Sequence, residues 1–111
     1  MEYLCLFYAA EDAAIPPNAL EECMGVAQKA HQSGAMRDAR GLEDPSSATT
    51  VRIRDGKRLL SNGPFAETKE VLTGYFMLEC KSLDEAIEWA AQLPQSRYGC
   101  VEVRPVRALE P

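Results

Sequence analysis

Chemistry-bearing side chains concentrate in one stretch, Ser61-Asn62-Gly63-Pro64-Phe65-Ala66-Glu67-Thr68-Lys69-Glu70. Glu67 has the type for a general base, and Lys69 or Arg52 for an anion clamp. Arg52 and Arg54 stand two residues apart, so on a strand they share one face. A guanidinium pair of that kind suits carboxylate or phosphate. Tyr75 adds a hydroxyl downstream, and Phe65 is an apolar anchor able to pin the loop to the body. His31, the only histidine, is of the type that transfers protons near neutrality. Each has a plainer reading beside it. Glu67 to Glu70 also fits a solvated charged turn, Arg52 and Arg54 a solvated strand face, and His31 a helix end favoured by the dipole. No nucleophile–base pair and no metal-ligand spacing is legible, so no cofactor and no metal are expected.

The backbone around these groups is stiff. Glycine accepts positive φ without steric cost, so Asn62-Gly63 marks a turn. Pro64 fixes its own φ and pushes Gly63 out of the helical region.

The elements that position the loop follow from periodicity. Glu2 to Ala9 is apolar at odd positions (Tyr3, Cys5, Phe7) and at even ones (Leu4, Leu6, Tyr8), which predicts a strand buried on both sides. Asn18 with Glu21 has capping-box spacing ahead of a helix over about Ala19 to Ser33. Its apolar stripe would be Leu20, Cys23, Met24, Ala27 and Ala30, and Gly34 would stop it. Ala35 to Leu42 is a weak strand without clean alternation. Ala48 to Arg54 and Lys57 to Ser61 flank Asp55-Gly56, a strong hairpin signal. Gly74 to Cys80 is a further strand, apolar on both sides over most of its length. Ser82 with Glu85 predicts a cap for a helix that ends before Pro94, with Leu83, Ala86, Ile87, Ala90 and Leu93 inward. The last strand runs from Cys100 to Val106.

Removing the hairpin leaves βαββαβ, so the predicted fold is α+β, ferredoxin-like, with an inserted β-hairpin. Such a unit covers one sheet face with helices and leaves the other bare. Strands that are apolar on both sides then call for a second copy, most simply by two-fold symmetry. The expected state is a homodimer with sheets packed face to face.

Composition sets the outer bounds. At 111 residues, residues 1–111 are expected to form a single domain. A net charge of −5 argues against nucleic acid as a partner. No apolar run approaches the roughly 20 residues of a spanning helix, and no basic leader opens the chain, so no membrane partner and a cytoplasmic location are expected. Cys5, Cys23, Cys80 and Cys100 have no C-x-x-C spacing and read as small core residues.

Residues Asn62 to Glu70 resemble the signature Asp-Gly-Pro-Phe-Ala-Glu-Thr-Lys-Glu of the DGPF proteins, matching at eight of nine positions. Those proteins are part of the YCII-related family. Similar features flank the signature: Ala48 to Lys57 before it, Gly74-Tyr75-Phe76 and Ser82 to Ala86 after it, and Val101 to Pro105 at the end. The departure is Asn62 in place of Asp. The amide still caps a turn but is no general base, which favours a structural role for that position. The resemblance implies a dimeric α+β barrel. In the wider group the histidine proposed for catalysis stands earlier relative to the glycine ending the first helix, and His31 does not match it.

Two functions follow as expectations. The first is a small-molecule enzyme or ligand-binding protein, with a pocket beside the dimeric sheet and the Asn62 to Glu70 loop. Arg52, Arg54, Phe65 and Tyr75 would bind, with Glu67, Lys69 or His31 as the catalytic candidates. The second is a non-catalytic dimeric accessory or regulatory module acting through a protein partner. The resemblance supports that reading, because DGPF proteins resemble accessory proteins encoded beside extracytoplasmic-function sigma factors.

Overall fold

The computed structural model describes residues 1–65 and 68–110, so Glu67 and Ala66 lie outside the described residues. The elements run β1 (Glu2–Ala10), α1 (Ala19–Gln32), β2 (Met36–Gly41), β3 (Thr49–Arg54), β4 (Lys57–Asn62), β5 (Glu70–Glu79), α2 (Leu83–Gln92), α3 (Gln95–Tyr98) and β6 (Cys100–Pro105). Four strands form an antiparallel sheet in the order β2-β5-β1-β6, and β3-β4 is a separate two-stranded sheet. This is the ferredoxin-like arrangement with an inserted hairpin. Sequence periodicity missed α3, a single turn, and started β5 four residues late at Gly74.

Strand β1 lies at the centre, paired to β5 on one edge and β6 on the other. Tyr3, Cys5, Phe7 and Ala9 are buried beneath the helices, as are Phe76 and Leu78 of β5. Phe7 and Phe76 meet edge to face with ring centres 5.2 Å apart. The opposite face carries Leu4, Leu6, Tyr8, Tyr75 and Met77, all half-buried. Within one chain, then, the expected two-sided burial is met on one side and the other face is open.

Local chemistry corrects several expectations. Asn18 makes no side-chain cap on α1. The helix turns Ala19, Val26 and Ala30 inward with Cys23 and Ala27 half-buried, while Leu20 and Met24 are exposed. Small residues thus make up most of the inner face of α1, and the larger Leu20 and Met24 stand at its exposed margin. At α2 the Ser82 Oγ accepts from the Glu85 N–H (3.3 Å), but the Glu85 carboxylate reaches back to the N–H of Lys81 (3.0 Å), one residue before the expected position. Leu83 and Ile87 are exposed, and the half-buried Trp89 packs against the core instead. The missing alternation in β2 has a cause. The register shifts between Met36 and Asp38, a bulge at Arg37, so Met36 and Ala39 align with the buried Leu78 and Phe76 although three apart.

The hairpin turns through Asp55 (φ 51°) and Gly56 (φ 73°), the pair of positive φ values that a two-residue turn of type I′ requires. Every residue of β4 is exposed. The molecule is a slab 48 × 41 × 18 Å with a radius of gyration of 15.9 Å. A compact chain of this size would have about 13 Å. The projecting hairpin accounts for the difference.

Cys5 and Cys80 are buried, and Cys23 is half-buried. Cys100 is exposed, which corrects its assignment to the core. Burial, with Cys80 nearby, pushes the Cys5 thiol up to about 11.

Two glycines fix how closely the layers meet. A Cβ at Gly99 would lie 2.0 Å from the Tyr8 carbonyl oxygen, and one at Gly74 2.6 Å from that of Arg40. Gly25, in α1, has nothing within 4 Å of such a Cβ. Gly99→Ala is therefore expected to lose about 3 kcal/mol or more in urea unfolding. Gly25→Ala should gain roughly 0.5–1 kcal/mol from helix propensity. Equal effects at the two positions would contradict the close approach at Gly99.

Candidate functional site

Between α1 and the sheet lies a half-open cavity of about 330 Å³, with the exposed Ile15, Leu20 and Met24 at its mouth. Phe7 and Phe76 belong to its sheet side. The α1 side is Ala19, Leu20, Cys23, Met24 and Ala27, with Ile15 from the preceding loop. Ala39, Arg40, Gly41 and Thr73 close one end, and Gln95 and Tyr98 the other. Ala19, Cys23 and Ala27 of α1 and Ala39 and Gly41 of β2 are the small residues of its lining.

Polar groups gather at the α3 end. Gln95 is only 9% exposed. Its Nε2 donates to Cys23 Sγ (3.4 Å), and its Oε1 has no partner among the described residues. Burial, then the neighbouring Cys23, raises the pKa of Tyr98. At the other end Thr73 Oγ1 is already committed, donating to the Phe7 carbonyl (3.3 Å).

The open sheet face holds a second set of polar groups. Tyr75 Oη donates to Asp38 Oδ2 (2.8 Å), and Asp38 Oδ1 pairs with Arg40 Nη1 (2.9 Å). Arg40 is the register partner of Tyr75, so both side chains belong to this face rather than to the cavity side. Across the sheet Arg104 Nη2 donates to Glu102 (2.7 Å), which holds the Glu102 carboxyl below its ordinary range. Burial first, then Glu102, raises the Tyr8 hydroxyl. Two tyrosine–carboxylate–arginine sets thus flank an apolar centre of Leu4, Leu6 and Met77.

Among the described residues, those singled out from the sequence do not converge on this cavity. Tyr75 joins the open-face network. Arg52 and Arg54 lie on the projecting hairpin, where Arg54 Nη1 donates to the adjacent Ile53 carbonyl (2.9 Å). Neither lines a cavity described here. Phe65 is 79% exposed, so it does not pin the loop to its own chain. Lys69 is exposed, and Glu67 is outside the described residues. His31 sits in the last turn of α1, at a shallow groove shared with Gln28 and Met36. The loop itself borders a depression of about 460 Å³ with Asp44, Pro45, Pro64, Thr68 and Val71. No metal-binding cluster is found among the described residues. Sequence reasoning missed Asp38, Gln95 and Tyr98 as site residues, and treated Cys23 only as core. The one signal in the chain was an acid between two arginines, Arg37-Asp38-Ala39-Arg40, on a strand with broken alternation.

The family model of the YCII-related domain matches residues 1–110. The chain belongs to the YCII-related family. It is 34% identical over 94 residues to an uncharacterised protein of Rhizobium meliloti (strain 1021), covering 83% of this chain and 76% of that one. Among the described residues of this YCII-related chain, no helix is long and apolar enough to cross a membrane.

The Tyr75–Asp38 contact has a measurable consequence. The hydrogen bond to Asp38, with a smaller part from burial, raises the Tyr75 pKa above its ordinary value. A raised pKa stabilises the protonated phenol. The contribution is therefore complete below the ordinary tyrosine range and is lost as pH climbs through the Tyr75 titration. Following phenolate absorbance against pH, Asp38→Ala should move one of the four tyrosines to lower pH. Superimposable titrations would show that the contact does not form in solution.

Proposed function

We propose that this YCII-related protein binds a small, largely apolar molecule in the cavity beneath α1, and does so as a homodimer. The observation that carries the reading is the cavity itself, aromatic on its sheet side, with Gln95 and Tyr98 at one end. Pockets of this size and lining are where small ligands bind. This reading sets the site on the helix side of the sheet rather than beside the Asn62 to Glu70 loop.

The homodimer is supported by the open face, where Leu4, Leu6 and Met77 lie between two charged rims. That arrangement is self-complementary under a two-fold axis. The hairpin adds support. A two-stranded hairpin is marginal alone in water, and this one exposes Val51 and Ile53 at 58% each and Leu60 at 61%. A second copy would cover both surfaces. Four free thiols, one of them exposed, suit a reducing, cytoplasmic setting.

Native mass spectrometry tests both parts. Freshly purified protein should appear as a dimer with a retained small mass. Met77→Glu should give monomer, and Ala27→Trp should keep the dimer and shed the extra mass. A monomer persisting at micromolar concentration overturns the dimer and leaves the open face to a different protein. A mass kept equally by Ala27→Trp overturns the cavity as the binding site.

A further inference from the structure

We infer that the β3–β4 hairpin is an arm exchanged between two copies of this chain, with its apolar face laid over the cavity mouth at the start of α1 of the other copy. The inference rests on the homodimer reading above and names the contact that the hairpin makes in it.

The ribbon has two unlike faces. Val51 pairs with Leu60 and Ile53 with Arg58, so these four share one face; Arg52 with Leu59 and Arg54 with Lys57 share the other. The first face is apolar but for Arg58, and Val51, Ile53 and Leu60 are all exposed. On the second, Thr50 and Arg52 are half-buried. The apolar face is therefore the one turned away from its own chain. The hairpin is fastened at its root, where the Gly63 N–H donates to the Ala48 carbonyl (2.7 Å) and Thr50 Oγ1 to that of Gly63 (2.8 Å). A two-stranded ribbon needs packing on one face to be stable in water, and its own chain leaves this face bare.

The same chain carries a matching surface. Ile15, Leu20 and Met24 stand exposed at the cavity mouth, and Glu21 lies beside Met24 in the first turn of α1. Each surface thus offers three large exposed apolar side chains and one charge, of opposite sign. Neither Glu21 nor Arg58 has an ion-pair partner among the described residues. Net charge agrees with the pairing. Four of the chain's twelve bases and one of its seventeen acids fall within Thr49–Asn62, so the hairpin carries +3 and the remainder of the chain −8. The body of a second copy therefore attracts the hairpin over a distance, and the short-range match fixes where it settles. Exchange about a two-fold axis makes the contact twice and closes the assembly. A hairpin seated there also covers the open side of the cavity.

The test is a charge exchange, read as the dimer dissociation constant by native mass spectrometry over a range of concentrations. Arg58→Glu and Glu21→Lys should each weaken the dimer about tenfold, because each sets like charges together in both contacts. Mixed in equal amounts, the two variants should form heterodimer above the statistical share, since both of its contacts again pair opposite charges. Ile53→Glu should weaken the dimer at least as much, without rescue. All three positions are exposed within one chain, so the variants should stay folded. Should one unfold, hydrogen exchange on the native chain still decides: β3 and β4 amides should slow as rising concentration forms the dimer, and unchanged exchange overturns the contact. Dimers of native strength from all three variants overturn this inference and leave the homodimer on the open sheet face standing. Weakened dimers that mix at random also overturn it, because the hairpin then meets a surface other than α1. A native chain that stays monomeric at micromolar concentration overturns the homodimer and this inference with it, and hands the hairpin to a different protein.

Discussion

Strand β1 carries apolar side chains on both faces and is hydrogen-bonded along both edges, so its place is the middle of a sheet covered twice. The chain covers it only once. Its helices lie over the face of Tyr3, Cys5 and Phe7, and α1 presents the small Ala19, Cys23, Ala27 and Ala30 to that side. Gly74 and Gly99 permit close approach where strand meets strand and where α3 meets β1. The cavity is a by-product of that choice. Where α1 is small and β2 is small as well, the layers meet at their edges and leave space between them.

Much of this architecture was legible in the residues. Apolar residues on both faces placed β1 and β5, Asp55-Gly56 placed the hairpin, and Gly34 (φ +83°) ended α1. What escaped depends on packing rather than pattern. Helical spacing alone groups Leu20 and Met24 with Cys23 and Ala27, and only contact with the sheet shows which side of that group faces inward. The bulge at Arg37 shifts the period by one residue, and so reads as noise in a window that expects strict alternation. Helix α3 is one turn long, below what periodicity resolves.

The site was far less legible, for a physical reason. Sequence reading finds chemistry where charges cluster, which drew attention to Glu67, Lys69, Arg52 and Arg54. The cavity under α1 is written in small residues and carries almost no charge. Alanine, glycine and cysteine in a helix or strand look like ordinary core. Whether Gln95 is paired depends on where α3 sets it against Cys23, some seventy residues earlier in the chain. The resemblance to DGPF proteins pointed to the family, which the match over residues 1–110 bears out, but a loop signature carries no information about a cavity on the far side of the sheet.

Strand β2 connects the two surfaces. Because of the bulge, Ala39 faces the cavity side with Phe76, while Asp38 and Arg40 face the open side with Met77 and Tyr75. Residues Asp38 to Gly41 therefore form one end of the cavity and one rim of the uncovered sheet. Edge strands are the least constrained part of a sheet, since only one side is hydrogen-bonded. On the open face the Tyr75–Asp38–Arg40 contacts tie this edge back to β5. On the cavity side Ala39 and Gly41 contribute almost no side chain to hold it. A second copy laid on the open face would press on the Asp38–Arg40 side of this strand, and so bear directly on the width of the cavity at its Ala39–Gly41 end.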